Sequence, residues 1–162
     1  VPIDGVTQDS CTDKSVTCVD EALPGSRSRN AYSVGVSHYF DSGFMDRSAV
    51  KVTYRYYDDD WDIKSHTEEI EYSRYLTDQV ILRLNFRYYD QTNASFVKDS
   101  YVSADEFKSS SPQLLAFNSQ LAGVKLQYNY DGNSFVEGKY EYYTQSISTD
   151  SHVFMVGMRY SF

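Results

Sequence analysis

Val153-Phe154-Met155-Val156-Gly157-Met158-Arg159-Tyr160-Ser161-Phe162 is the stretch on which the fold turns. Phe154, Val156, Met158, Tyr160 and Phe162 are large and apolar. Val153, Met155, Gly157, Arg159 and Ser161 between them are mostly small or polar. Side chains on a strand point to opposite faces with period two, so this spacing predicts a strand with one apolar face. An apolar strand at a chain terminus gains little in water, where termini fray. It suits a transmembrane β-barrel, whose strands turn alternate apolar residues to lipid and carry aromatic rings at the membrane interfaces. A soluble β-sandwich with this strand at its edge is the competing reading.

The same alternation recurs upstream. Tyr32, Val34, Val36, His38 and Phe40 share one parity, and Ser33, Gly35, Ser37 and Tyr39 the other. Val50, Val52, Tyr54 and Tyr56 alternate with Lys51, Thr53, Arg55 and Tyr57. A weaker pattern sets Ile70 and Tyr72 against Glu69, Glu71 and Ser73. Val80, Leu82, Leu84, Phe86 and Tyr88 alternate with Ile81, Arg83, Asn85, Arg87 and Tyr89. Ala122, Val124, Leu126, Tyr128 and Tyr130 oppose Gly123, Lys125, Gln127 and Asn129. After a hairpin turn at Asp131-Gly132-Asn133, Val136, Gly138, Tyr140 and Tyr142 oppose Glu137, Lys139, Glu141 and Tyr143. Seven strands and no helix are expected, joined by short connections (41–48, 76–79, 131–134) alternating with longer ones (57–67, 90–112, 145–152).

Composition agrees. The 162 residues include 16 Tyr, 9 Phe and 1 Trp, yet mean hydropathy is only -0.54. No apolar run reaches the roughly 18 residues of a membrane helix, and barrel strands average near neutral because they alternate. The net charge of -8 argues against a nucleic-acid partner, which needs a basic surface. Segments 1–30, 57–67, 90–112 and 145–152 carry -2, -3, -2 and -1, the whole of that charge. Rings gather at the strand ends (Tyr54 and Tyr56, Phe86 and Tyr88, Tyr140 and Tyr142 at one end; Phe40, Tyr128 and Tyr130, Tyr160 and Phe162 at the other), with aliphatic residues between. That is the two-girdle pattern of rings that prefer the headgroup level.

The opposite parity carries Lys51, Arg55, Glu69, Glu71, Arg83, Arg87, Lys125, Glu137, Lys139, Glu141 and Arg159. Facing lipid would be costly, so these residues are expected to line a lumen, hydrated or closed by ion pairs. Cys11 and Cys18, six residues apart in a polar segment, suit a disulfide made in an oxidising compartment. Residues 1–30 are expected to form an extracellular loop around that bridge, and residues 31–162 the barrel strands. Backbone groups in lipid must all be paired, so the sheet must close. Bacterial single-chain barrels have an even strand number. Seven strands therefore imply either the C-terminal part of a larger barrel or a missed eighth strand near Val16–Val19.

No nucleophile, phosphate-loop or zinc spacing is present, and no cofactor or metal site is expected. Asp58, Asp59, Asp60 and Asp62 lack the glycine and distal glutamate of an EF-hand loop, which favours a solvated tip. His66 nearby is a single histidine beside a charge run, so no catalytic residue is assigned.

The stretches Leu23-Pro24-Gly25-Ser26-Arg27-Ser28-Arg29-Asn30-Ala31, Tyr54-Arg55-Tyr56-Tyr57-Asp58-Asp59-Asp60-Trp61, Ser65-His66-Thr67, Arg87-Tyr88-Tyr89 and Tyr142-Tyr143-Thr144-Gln145 resemble an uncharacterised family of bacterial outer-membrane proteins, a domain of unknown function. The resemblance implies a barrel of about twice this length, in keeping with the strand parity. It implies no activity. The expectation is an outer-membrane barrel from a Gram-negative bacterium, acting as a passive channel or transport scaffold and not as an enzyme. The alternative is a structural barrel that anchors or sleeves another envelope protein. Its expected partners are outer-membrane lipid, the barrel-assembly machinery that reads the Phe154–Phe162 pattern, and another envelope protein or the N-terminal half of the same barrel.

Overall fold

The computed structural model describes residues 21–98, 101, 105–109, 111–131, 133–147 and 150–160. Cys11, Cys18, the Val16–Val19 segment, Gly132, Ser161 and Phe162 lie outside the described residues. Seven strands form one sheet: β1 (Arg29–Phe40), β2 (Ser48–Asp59), β3 (Lys64–Tyr75), β4 (Val80–Gln91), β5 (Phe117–Asn129), β6 (Phe135–Gln145) and β7 (Ser151–Arg159). Each strand pairs with its neighbour in the chain, in the order β1-β2-β3-β4-β5-β6-β7, an antiparallel meander. The sheet does not close on itself: β1 and β7 are its two edges. No second sheet packs on it among the described residues, which removes the sandwich reading.

Two expectations change. β3 is as long as its neighbours, 12 residues, because pairing on both sides holds a strand whose own alternation is weak. The acidic stretch 57–67 is not a long loop. β2 runs to Asp59 and β3 starts at Lys64, leaving a turn of residues 60–63 closed by the Asp59 N–H to Ile63 carbonyl bond, 3.2 Å. Asp62 in this turn takes the left-handed conformation, φ 63°, which a short polar side chain tolerates. Only the β4–β5 connection, residues 92–116, is long.

The chain divides into two compact units. The first comprises residues up to 31, 57–65 and 91–117. It has a small apolar core of Ile63, Ala94 and Leu114, with Tyr57, Trp61, Phe96 and Val97 packed on it. Its polar hub is Asp59, whose carboxylate accepts five hydrogen bonds: from Trp61 N and Ile63 N at 3.0 Å each, Tyr57 Oη at 2.7 Å, and Arg27 Nε and Nη2 at 2.8 and 2.5 Å. Arg27 also lies over the Trp61 ring, 4.4 Å from its centroid.

The second unit is the sheet proper, residues 32–56, 66–90 and 118–162. Its register is set on both sides of β6. Val124 faces Tyr140, Leu126 faces Gly138 and Tyr128 faces Val136; across β6, Tyr140 faces Phe154, Gly138 faces Val156 and Val136 faces Met158. The apolar parity thus makes continuous rows. Among the described residues, Ile81 is the one buried hydrophobic side chain in this unit. The large apolar side chains are instead exposed, with Val156 at 86%, Met158 at 83% and Val36 at 69%. From Ala122 to Asn129 along β5 the exposed residues are Ala122, Val124, Leu126 and Tyr128, while Gly123, Lys125, Gln127 and Asn129 on the opposite face are half-buried. A soluble sheet has this the other way round.

Candidate functional site

The polar parity brings its charges together as pairs. Lys125 and Lys139 stand directly opposite each other across β5 and β6, an arrangement that is unfavourable for like charges. Each is neutralised by a glutamate two positions along β6: Lys125 Nζ meets Glu137 at 2.5 Å, and Lys139 Nζ meets Glu141 at 2.8 Å. Lys51 bonds Glu71 at 3.4 Å, with both side chains about half exposed. Surface pairs of that kind contribute little stability. Among the described residues, Arg55, Arg83, Arg87 and Arg159 find no carboxylate partner, and Glu69 finds no cationic one.

Two glycines make this packing possible. A Cβ on Gly123 would collide with the Asn85 amide and approach Glu141 Cγ to 3.0 Å. Asn85 from β4 and Glu141 from β6 meet over Gly123 on β5, the amide donating to the carboxylate at 3.5 Å. Glu137 faces Gly157 across β6 and β7, where a Cβ would lie 3.3 Å from Glu137 Cγ. These glycines are not turn residues: they keep the polar face open where charged side chains cross. A cavity of about 320 Å³ lies on this face, with Glu69, Arg83, Arg87, Lys125, Lys139 and Glu141 among its walls. A larger one, about 530 Å³, sits by the β5–β6 turn, with Asp78, Gln79, Asn129, Asp131, Phe135 and Arg159 among its lining.

In that turn Asp131 Oδ1 accepts the N–H groups of Asn133 and Ser134 at 2.9 and 2.7 Å. The Asn133 N–H above all, then the bonds from Ser134, hold its carboxyl below the usual carboxylate range.

On the apolar face one arrangement occurs twice. Tyr54 Oη lies 2.6 Å from His66 Nδ1, and the Tyr56 ring packs on His66 with centroids 5.2 Å apart. Tyr140 Oη lies 2.8 Å from His152 Nδ1, and Tyr142 packs on His152 at 5.0 Å. Each clasp joins a Tyr-x-Tyr stretch to the start of the strand that follows, His66 being the third residue of β3 and His152 the second of β7. His38 packs edge-on against Phe40, centroids 4.5 Å apart. Histidine and tyrosine each combine an apolar ring with a polar atom.

Of the terminal pattern, Phe154, Val156 and Met158 share one face of β7 and are more exposed than Val153 and Met155 on the other. Tyr160 lies just past the strand, which ends at Arg159. The acidic tip does not converge on a cation. Asp59 turns into its own turn, Asp58 accepts from Asn30 at 3.3 Å, and no group of three or more metal-ligating side chains forms among the described residues. His66 is held by Tyr54 and Tyr56. Sequence reading missed Asn85, Gly123 and Gly157 as shapers of the polar face. Their signal was the small or neutral residue at a charged-parity position, which alternation alone does not distinguish from a weak strand.

These observations define an all-β protein whose sheet is apolar on one face and ion-paired on the other. Residues 3–157 match the family described as Protein of unknown function (DUF3570), and the chain belongs to that family. No curated protein and no solved structure matches the chain.

Proposed function

We propose that this chain forms the wall of a bacterial outer-membrane β-barrel that acts as a passive channel or transport scaffold with a mixed-charge lumen. The observation that carries the reading is the inversion of the sheet. Seven strands with one buried hydrophobic side chain need an apolar medium on the face that bears Val36, Leu126, Val156 and Met158. Soluble monomers rarely expose apolar patches beyond a few hundred Å², whereas lipid is the natural surroundings of such a face. The Tyr–His clasps then stand at the interface level. In lipid the unpaired edges of β1 and β7 must find partners, so further strands of the same protein, its N-terminal half, complete the ring. The assembly machinery reads the alternation from Phe154 onward.

A second reading, a barrel that anchors or sleeves another envelope protein, draws on the three Lys–Glu pairs, which partly neutralise the polar face. Reconstitution of the full-length protein into planar bilayers separates the two. A channel gives steady unitary current, and a sleeve gives none. A protein that stays in the aqueous phase when mixed with phospholipid vesicles would overturn both.

A further inference from the structure

The charges of the polar face are sorted by residue type. It carries seven basic residues against four acidic ones, a surplus of three positive charges in a chain whose net charge is -8. All three lysines are matched with glutamates: Lys51 with Glu71, Lys125 with Glu137, Lys139 with Glu141. All four cations left over are arginines: Arg55, Arg83, Arg87 and Arg159. Arg83 and Arg87 are on one strand, on the same face, and both line the 320 Å³ cavity. The carboxylates there are Glu71 and Glu141, each held by a lysine, and Glu69, which has no cationic partner.

Guanidinium is planar, permanently charged and presents a fork of donors that fits carboxylate and phosphate oxygens two at a time. Lysines locked in ion pairs offer a solute little. Arginines left with open donors offer it the strongest contacts on the wall. We propose that the polar face selects for anions, and that Arg83 and Arg87 form a site for a small oxyanion with two or more negative charges, carboxylate or phosphate. Lys51 and Lys139 fix Glu71 and Glu141, two carboxylates of the same cavity that would otherwise compete for the guanidinium groups. The proposal rests on the polar face being a hydrated lumen, and it names the class of solute that lumen takes.

The test uses the full-length protein in detergent, titrated calorimetrically with inorganic pyrophosphate and with citrate at low ionic strength, where screening is weak. Arg83→Gln/Arg87→Gln should weaken binding by about tenfold or more per arginine, the loss expected when a charge-assisted pair is removed. Lys64→Gln, on the apolar parity, should leave binding within about twofold, as a surface charge away from the site does. In planar bilayers under a salt gradient, the reversal potential should lie on the anion side. It should move toward the cation side when Arg55, Arg83, Arg87 and Arg159 are all replaced by Gln. A conducting protein that is cation-selective, or that binds neither probe, overturns this inference and leaves the channel reading standing. A protein that binds pyrophosphate through Arg83 and Arg87 but passes no current supports the anion site and overturns the channel.

Discussion

Leu126→Arg puts the membrane reading to a quantitative test. The register places Leu126 beside Gly138 and Gly138 beside Val156, a row crossing β5, β6 and β7. On one side, four residues along, stands the row Ala122, Tyr142 and His152; on the other, four residues along and one past the end of β5, stands Tyr130. At about 3.4 Å per residue and a tilt of about 40°, four residues rise roughly 10 Å. The Leu126 row is therefore midway across an apolar band that is about 25 Å tall in such barrels. Arginine on the lipid face costs about 2–4 kcal/mol at the midplane and about 0–1 near the interfaces. Leu126→Arg should thus cost about 2–3 kcal/mol more than Ala122→Arg at the ring level, a difference of roughly 30- to 150-fold in the folding equilibrium. The assay is reversible guanidinium unfolding of the full-length protein in phospholipid vesicles, followed by Trp61 fluorescence. If both variants lose the same stability, or Leu126→Arg loses none, the depth dependence is absent and the apolar face does not meet lipid.

Asp59→Asn removes the charge that Arg27 and three other donors share. The cost should be about 3 kcal/mol, the low end for breaking a buried pair, because Arg27 keeps 21% of its side chain in water. Protease nicking of the 57–65 and 91–117 segments reads the loss. Gly123→Ala should destabilise the sheet by about 1–3 kcal/mol through overpacking against Asn85 and Glu141. Asn85→Ala in the same chain should return most of that loss, and a strictly additive double mutant would show that the two side chains do not meet. The Asp131 cap sets a pH dependence. Its carboxyl titrates below the unfolded value, so its contribution is complete above the ordinary carboxylate range and is lost as pH falls through the lowered value. Asp131→Ala should therefore differ from the wild type at neutral pH and converge with it in strong acid. A gap that persists unchanged in acid would show that the charged cap is not the cause.

Much of this molecule is legible residue by residue, because alternation is a local property. The parity of Val34, Val52, Leu84, Val124 and Val156 against Lys51, Arg83 and Lys125 fixes which side chains share a face, and seven strands follow in order. What alternation cannot carry is anything that depends on two strands at once. β3 reads as weak because Glu69 and Glu71 interrupt it, yet pairing on both sides extends it from Lys64 to Tyr75. The acidic tip reads as a loop because its charges are solvated in isolation. Folded, Asp59 gathers donors 2 to 32 residues away and draws the tip into a hairpin.

The division between sequence and tertiary structure is sharpest on the polar face. Alternation alone settles that it bears more arginine and lysine than glutamate. Which cations are spent is settled by pairing: Lys125 on β5 reaches across to Glu137 on β6, and Lys139 meets Glu141 two residues along its own strand. Gly123 opens the space in which Asn85 meets Glu141. Hydrogen bonding acts over a few ångströms, here between residues 56 positions apart, and only the folded sheet brings them that close.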